Sequence, residues 1–158
     1  MGFVLRFVCL WGLALLALSL APGVERWMVE TTTAHLAFLL RSTSVDTHLE
    51  ASNVIRARGA YVEIVPDCTA LMPTAILWAA VIAFPAPPRP KLWGVALGSV
   101  AVWVFNLVRM LALVAVLWWS PQNFEFVHVY LWQTGTLLVV CAMFILWVRL
   151  GTRDRSSP

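Results

Sequence analysis

Charge is what this chain has least of. Asp, Glu, Lys and Arg make up 12% of its 158 residues, about half the share in a soluble domain. From Cys68 to Pro88 there is no charged residue at all. The chain also lacks a phosphate loop and a G-x-S-x-G elbow, which excludes a P-loop nucleotide site and an α/β-hydrolase nucleophile. Its three histidines and three cysteines have no metal-ligand spacing, so neither metal nor cofactor is expected. The net charge of +3 does not point to nucleic acid as a partner. The basic residues are dispersed and mostly flank apolar runs, where membrane topology accounts for them.

What is abundant is apolar surface, at 61% of residues. The expected fold class is an all-α polytopic membrane protein, one membrane domain over residues 1–158, with the lipid bilayer as its surroundings. Spans need about 17–25 apolar residues. Four runs qualify or nearly do: residues 3–21, 69–84, 92–119 and 127–148. Pro73 falls in the first turns of the second, where proline is tolerated. The first could instead be a signal peptide, with Arg6 as its basic start and Ser19 and Ala21 before a cleavage point. Pro22 directly afterwards argues for retention. Trp93, Trp118, Trp119 and Trp147 lie near the proposed helix ends, as interfacial belts require.

Loop charges orient the chain. Arg89 and Lys91 share a short loop with no acid, and the tail 149–158 sets Arg149, Arg153 and Arg155 against Asp154. Loop 120–126 has only Glu125, and residues 22–67 have four arginines against six acids. The positive-inside rule puts the two basic segments and both termini in the cytoplasm. Residues 22–67 and 120–126 then face outward. The outer segment 22–67 is expected to hold a short helix at 27–40, interfacial or re-entrant. A small β-hairpin region follows, with strands at 45–48, 54–56 and 61–65 and a turn at Gly59. The segment from Pro85 to Pro90 reads as a stiff inner connector.

Three residues stand out against this background. Arg109 interrupts the run 92–119. A cation at that depth costs roughly 2.5–3.5 kcal/mol on insertion scales and normally faces a partner or a water-filled cavity. Cys68 lies at the outer start of the second span. Cys9 and Cys141 sit within spans, so Cys68 has no disulfide partner, and a helix N-terminus lowers a thiol's pKa. His128 lies at the outer end of the fourth span. Under the expected topology Arg109 is about 15 Å below the outer end of its helix at 1.5 Å per residue, and snorkelling recovers part of that depth. All three then converge on the outer face, where a Cys–His pair suits nucleophilic catalysis. Asn106, one turn before Arg109, is a candidate substrate-binding residue beside it. Tyr130, Gln133 and Thr134 are candidate lining residues, equally readable as interhelical polar contacts. His35 and His48 carry no such pattern. The competing reading is non-enzymatic: a small scaffold or transporter subunit in which Arg109 is a structural cation held by backbone carbonyls, Asp67 or Glu125.

The order of these motifs resembles a known family. A hairpin reading Asn53-Val54-Ile55-Arg56, then Gly59, then Val62-Glu63-Ile64 is followed by Cys68, by Asn106-x-x-Arg109 and by His128 at a last helix. This is similar to the exosortases and archaeosortases, and the length resembles their compact members. Ala70 stands where the family commonly has a glycine two residues after the cysteine. The resemblance implies a membrane cysteine peptidase or transpeptidase of a prokaryotic cytoplasmic membrane, with its site on the extracytoplasmic face. It implies Cys68, Arg109 and His128 as catalytic residues. Its implied partners are proteins with C-terminal sorting tails of the PEP-CTERM type: a motif, a membrane helix and a basic end.

Overall fold

The computed structural model describes residues 2–153. Asp154 and Arg155 of the expected basic tail lie outside the described residues. The chain folds as a helical membrane bundle carrying a small antiparallel sheet.

Helix α1, Phe3–Ser19, is apolar apart from Arg6 and Ser19 and buries no residue of its own. At Leu20 the chain breaks, and α2, Pro22–Ser42, leaves at 85°. The break follows from Pro22, which occupies the first turn of α2 and cannot donate a backbone bond to a continuing helix. The expected short helix at 27–40 is therefore longer, at 21 residues. No helix breaker interrupts it before the turn at Thr43. Its buried stripe, including Val29, Thr33, Leu36 and Leu40, follows helical spacing.

Three strands follow: β1 Thr47–Ala51, β2 Val54–Ala57 and β3 Ala60–Glu63. They pair antiparallel in chain order. All three expected strands form, and β1, which begins two residues later than expected, pairs along β2 so that the hairpin extends to a three-stranded sheet. The β2–β3 turn is Arg58-Gly59, with φ of 48° and 81°. Positive φ at both central residues is the type I′ geometry that matches strand twist. Ile55, Ala57 and Ile64 are fully buried beneath the sheet. Trp118, far along the chain, anchors it by donating from Nε1 to the Ala57 carbonyl at 3.2 Å. The Arg58 guanidinium lies 4.9 Å over the same indole.

Helix α3, Leu71–Ala83, has 13 residues. That is about 20 Å at 1.5 Å per residue, short of a hydrocarbon core of about 30 Å. Helix α4, Pro88–Trp119, has 32 residues and starts at a proline in its first position, four residues before the apolar run at Leu92. After a 3₁₀ turn at Pro121–Asn123 come the short α5, Phe124–Phe126, a π-helical turn at Val127–Leu131, and α6, Trp132–Arg153. Two helical stretches, Pro88–Trp119 and Pro121–Gly151, are long and apolar enough to cross a membrane, and α1 with α2 forms a bent pair that could supply a third span.

Two apolar clusters hold the bundle. One joins α2 and the sheet to Cys68 and to Met110, Leu113 and Val114 of α4. The other joins α3, α4 and α6 through Leu77, Val81, Val102 and Val140. Helix α1 closes on the second through Phe3, whose ring lies 6.1 Å from Phe84 and 6.0 Å from Phe144. Gly94 and Gly98 let α4 come close to its neighbours. A Cβ at Gly94 would meet the Trp147 ring at 2.5 Å, and one at Gly98 would meet Leu77 at 2.5 Å. Small residues four apart are the usual device for close helix approach in lipid.

Candidate active site

Cys68 does not open a helix as expected. It ends a 3₁₀ turn, Pro66–Cys68, and α3 starts three residues later. The turn is tightly bonded. Cys68 N–H donates to the Val65 carbonyl at 2.8 Å. The Thr69 hydroxyl donates to the Pro66 carbonyl at 2.7 Å and accepts from Leu71 N–H at 3.3 Å. Thr69 thereby stabilises the turn and receives one of the free donors at the start of α3. Cys68 is free and 6% exposed, whereas Cys9 and Cys141 are free and exposed.

Asn106 reaches across from α4. Its Nδ2 donates to the Cys68 carbonyl at 3.0 Å, with the asparagine 4% exposed. The amide expected to face substrate is thus committed to the backbone of the cysteine. One turn further along α4, Arg109 is 6% exposed and its buried Nε has no hydrogen-bond partner among the described residues. An unpaired guanidinium N–H in an apolar bundle carries a desolvation cost that an added acceptor would relieve. Arg109 lies within electrostatic reach of Cys68 and Asp67. His128 lies within reach of Arg109 and Asp67.

Arg109 and His128 line one cavity of about 430 Å³ between α3 and α6. Asp67 and Thr69 form part of its wall, while Met72, Pro73 and Ile76 continue it down α3. Cys68 lies between two lining residues but is not itself in the lining. Its side chain belongs to the apolar cluster behind the wall.

The π turn decides which residues of the last segment face this cavity. His128, Val129, Gln133, Thr136, Leu137 and Val140 line it. From Gln133 onward these follow ordinary helical spacing. His128 precedes Gln133 by five positions, the offset of a π turn and not of an α-helix. Phe124 stacks on His128 with ring centroids 5.6 Å apart. Of the expected lining residues Gln133 is present. Tyr130 is exposed against Phe126, and Thr134 is outside the lining. Thr136, one helical turn beyond Gln133, also lines the cavity and was not among the expected residues. Asp67, considered in the sequence only as a counter-ion, is a lining residue. His35 packs its ring on Trp103 at 5.5 Å, and His48 bonds Asp46 at 2.9 Å. Neither joins the site. Among the described residues no three His, Cys, Asp or Glu side chains are grouped to hold a metal.

A buried cysteine turn braced from α4, with an arginine and a histidine on one largely apolar cavity between helices, marks the candidate site of a membrane protein. The transmembrane exosortase family matches this chain over residues 2–148, nearly its whole length, and the chain belongs to that family. No curated protein and no solved structure matches it.

Proposed function

We propose that the protein is a membrane-embedded cysteine peptidase or transpeptidase that processes proteins bearing a C-terminal sorting tail. The observation that carries this reading is the pairing of Arg109 and His128 on one cavity beside the Cys68 turn. Family membership supports a membrane processing role.

In this reading His128 takes the Cys68 thiol proton, and the thiolate attacks the scissile carbonyl carbon, forming a C–S bond. Arg109 donates to the developing oxyanion, using the buried Nε that has no partner of its own. The C–N bond breaks, and His128 gives its proton to the leaving amine. A thioester on Cys68 remains. His128 then takes a proton from water or from an acceptor amine, which attacks the thioester and releases the thiol. Sγ must move from the cluster behind the wall into the cavity, and a rotation about χ1 is the smallest motion available.

The cavity's walls suit a substrate that is itself a membrane helix. Its deep end is apolar, with Ile76, Leu137 and Val140, whereas its charged groups are Asp67, Arg109 and His128. A tail helix could lie along α3 and α6 with its outer end at the reactive groups. The four-span arrangement, with both termini cytoplasmic and the site on the extracytoplasmic face of a prokaryotic cytoplasmic membrane, accommodates this pose. In it α1 (17 residues, about 26 Å) and the short α3 join α4 and α6 as spans.

The test uses the full chain in proteoliposomes with a reporter protein carrying a motif, a membrane helix and a basic tail. A hydroxylamine-sensitive thioester located at Cys68 by mass spectrometry is the expected result. Processing at the wild-type rate by Cys68→Ala would refute the mechanism.

A further inference from the structure

A second cavity lies at the other end of the bundle. Gly94, in its wall, is about 22 Å from Arg109 along α4 at 1.5 Å per residue. The cavity encloses about 550 Å³, within the usual range of about 300–1,000 Å³ for small-ligand sites. Trp93 and Leu97 of α4 and Leu146 and Leu150 of α6 form its apolar walls. Trp93 and Leu97 are 67% and 61% exposed, so this side of the protein faces the bilayer.

Its polar groups are sharply limited. Trp147 Nε1 is already used, donating to the Pro90 carbonyl at 2.8 Å. Arg89 is the one charged residue among the described lining residues. No ion pair involves Arg89 among the described residues. The neighbouring Lys91 spends its amine on the Ile82 carbonyl at 2.7 Å. The sequence has no acid between Asp67 and Glu125, and the next is Asp154. Among the described residues, this end of the bundle therefore presents a cation with no acidic partner at the head of an apolar groove.

We infer that this groove binds one anionic phospholipid, with an acyl chain along Trp93, Leu97 and Leu146 and its phosphate against Arg89. Charge selects the headgroup: an arginine offers a phosphate two parallel donors, and anionic lipid is attracted to basic residues at the membrane surface. Packing disfavours a second protein helix. The small-residue face that would admit one, Gly94 and Gly98, is already filled by Trp147 and Leu77. A flexible chain can fill the irregular remainder without a close backbone approach.

The test reconstitutes the full chain in bilayers with equal amounts of phosphatidylglycerol and phosphatidylcholine, then reads retained lipid by native mass spectrometry. Phosphatidylglycerol should be retained roughly fivefold over phosphatidylcholine, the preference that one arginine at the surface supplies. Arg89→Gln should bring the two to parity, and Arg89→Lys should keep most of the preference. Leu97→Trp, which fills the groove, should lower retention of both. A photoactivatable phosphatidylglycerol should crosslink to the α4 and α6 segments around Leu97 and Leu146. Equal retention by the wild type, an unchanged preference in Arg89→Gln, crosslinks elsewhere, or a copurified peptide in place of lipid would each overturn the inference.

Discussion

Asn106 Nδ2 donates to the carbonyl oxygen of Cys68 at 3.0 Å, across 38 residues of sequence. Both groups are buried. The bond fixes the end of the 3₁₀ turn to α4 one helical turn from Arg109, so it sets the spacing between the proposed nucleophile and the proposed oxyanion donor. Asn106→Asp replaces the donor by an acceptor facing a carbonyl. The orphaned carbonyl alone costs about 1–3 kcal/mol. The expected outcome is a large fall in kcat with little change in KM, measured with a tailed reporter in proteoliposomes. A raised KM at unchanged kcat would show that Asn106 binds substrate and does not position Cys68.

Arg109 offers a planar fork of donors that an ammonium cannot reproduce. Arg109→Lys keeps the charge and should insert and fold as the wild type does, while losing most processing. Protease resistance of the membrane-inserted chain reads the first property and reporter cleavage the second. Wild-type activity in this variant would assign Arg109 a structural role.

His128 serves both halves of the proposed reaction, so His128→Ala should slow thioester formation and its resolution together. Single-turnover quenching, with the Cys68 adduct followed by mass spectrometry, separates the two rates. A fast first step with normal resolution would place the proton transfers on another group, such as Asp67, the carboxylate in the cavity lining.

The proposed topology, with the sheet outward and Arg89 inward, is tested by labelling. Cys68 itself is a poor reporter, because at 6% exposure it is shielded from a bulky reagent. Tyr61, 66% exposed on β3, is a better position. Tyr61→Cys, in a chain with Cys9 and Cys141 changed to Ala, should react with an impermeant maleimide on intact cells. Arg89→Cys in the same background should react only after the membrane is opened. The reverse pattern would invert the topology.

Gly94→Ala puts a methyl group into the Trp147 ring and strains the Trp147–Pro90 hydrogen bond. Overpacking of this kind typically costs about 1–3 kcal/mol. A lower Tm in detergent is expected, with the fold retained.

Much of this protein is written locally. Long apolar runs are visible because every backbone group in lipid must be bonded within its own helix, and α4 and the last helical segment appear where those runs lie. Gly59 marks the β2–β3 turn because its conformation is a property of two adjacent residues. Arg109 is conspicuous for the cost of its charge among apolar neighbours. The remainder depends on contacts between segments distant in sequence. The strand expected at 45–48 runs instead from Thr47 to Ala51 because it takes its bounds from pairing with β2. Cys68 ends a 3₁₀ turn because Asn106 and Thr69 hold it there, and it is buried because α2 and α4 close over it. His128 comes onto the cavity through a π turn, which has no signature in the apolar pattern since one extra residue per turn leaves composition unchanged. Which residues could form helices was a matter of side chains in sequence. Which of their polar groups meet was decided by packing, since only the assembled bundle determines where a buried donor finds its acceptor.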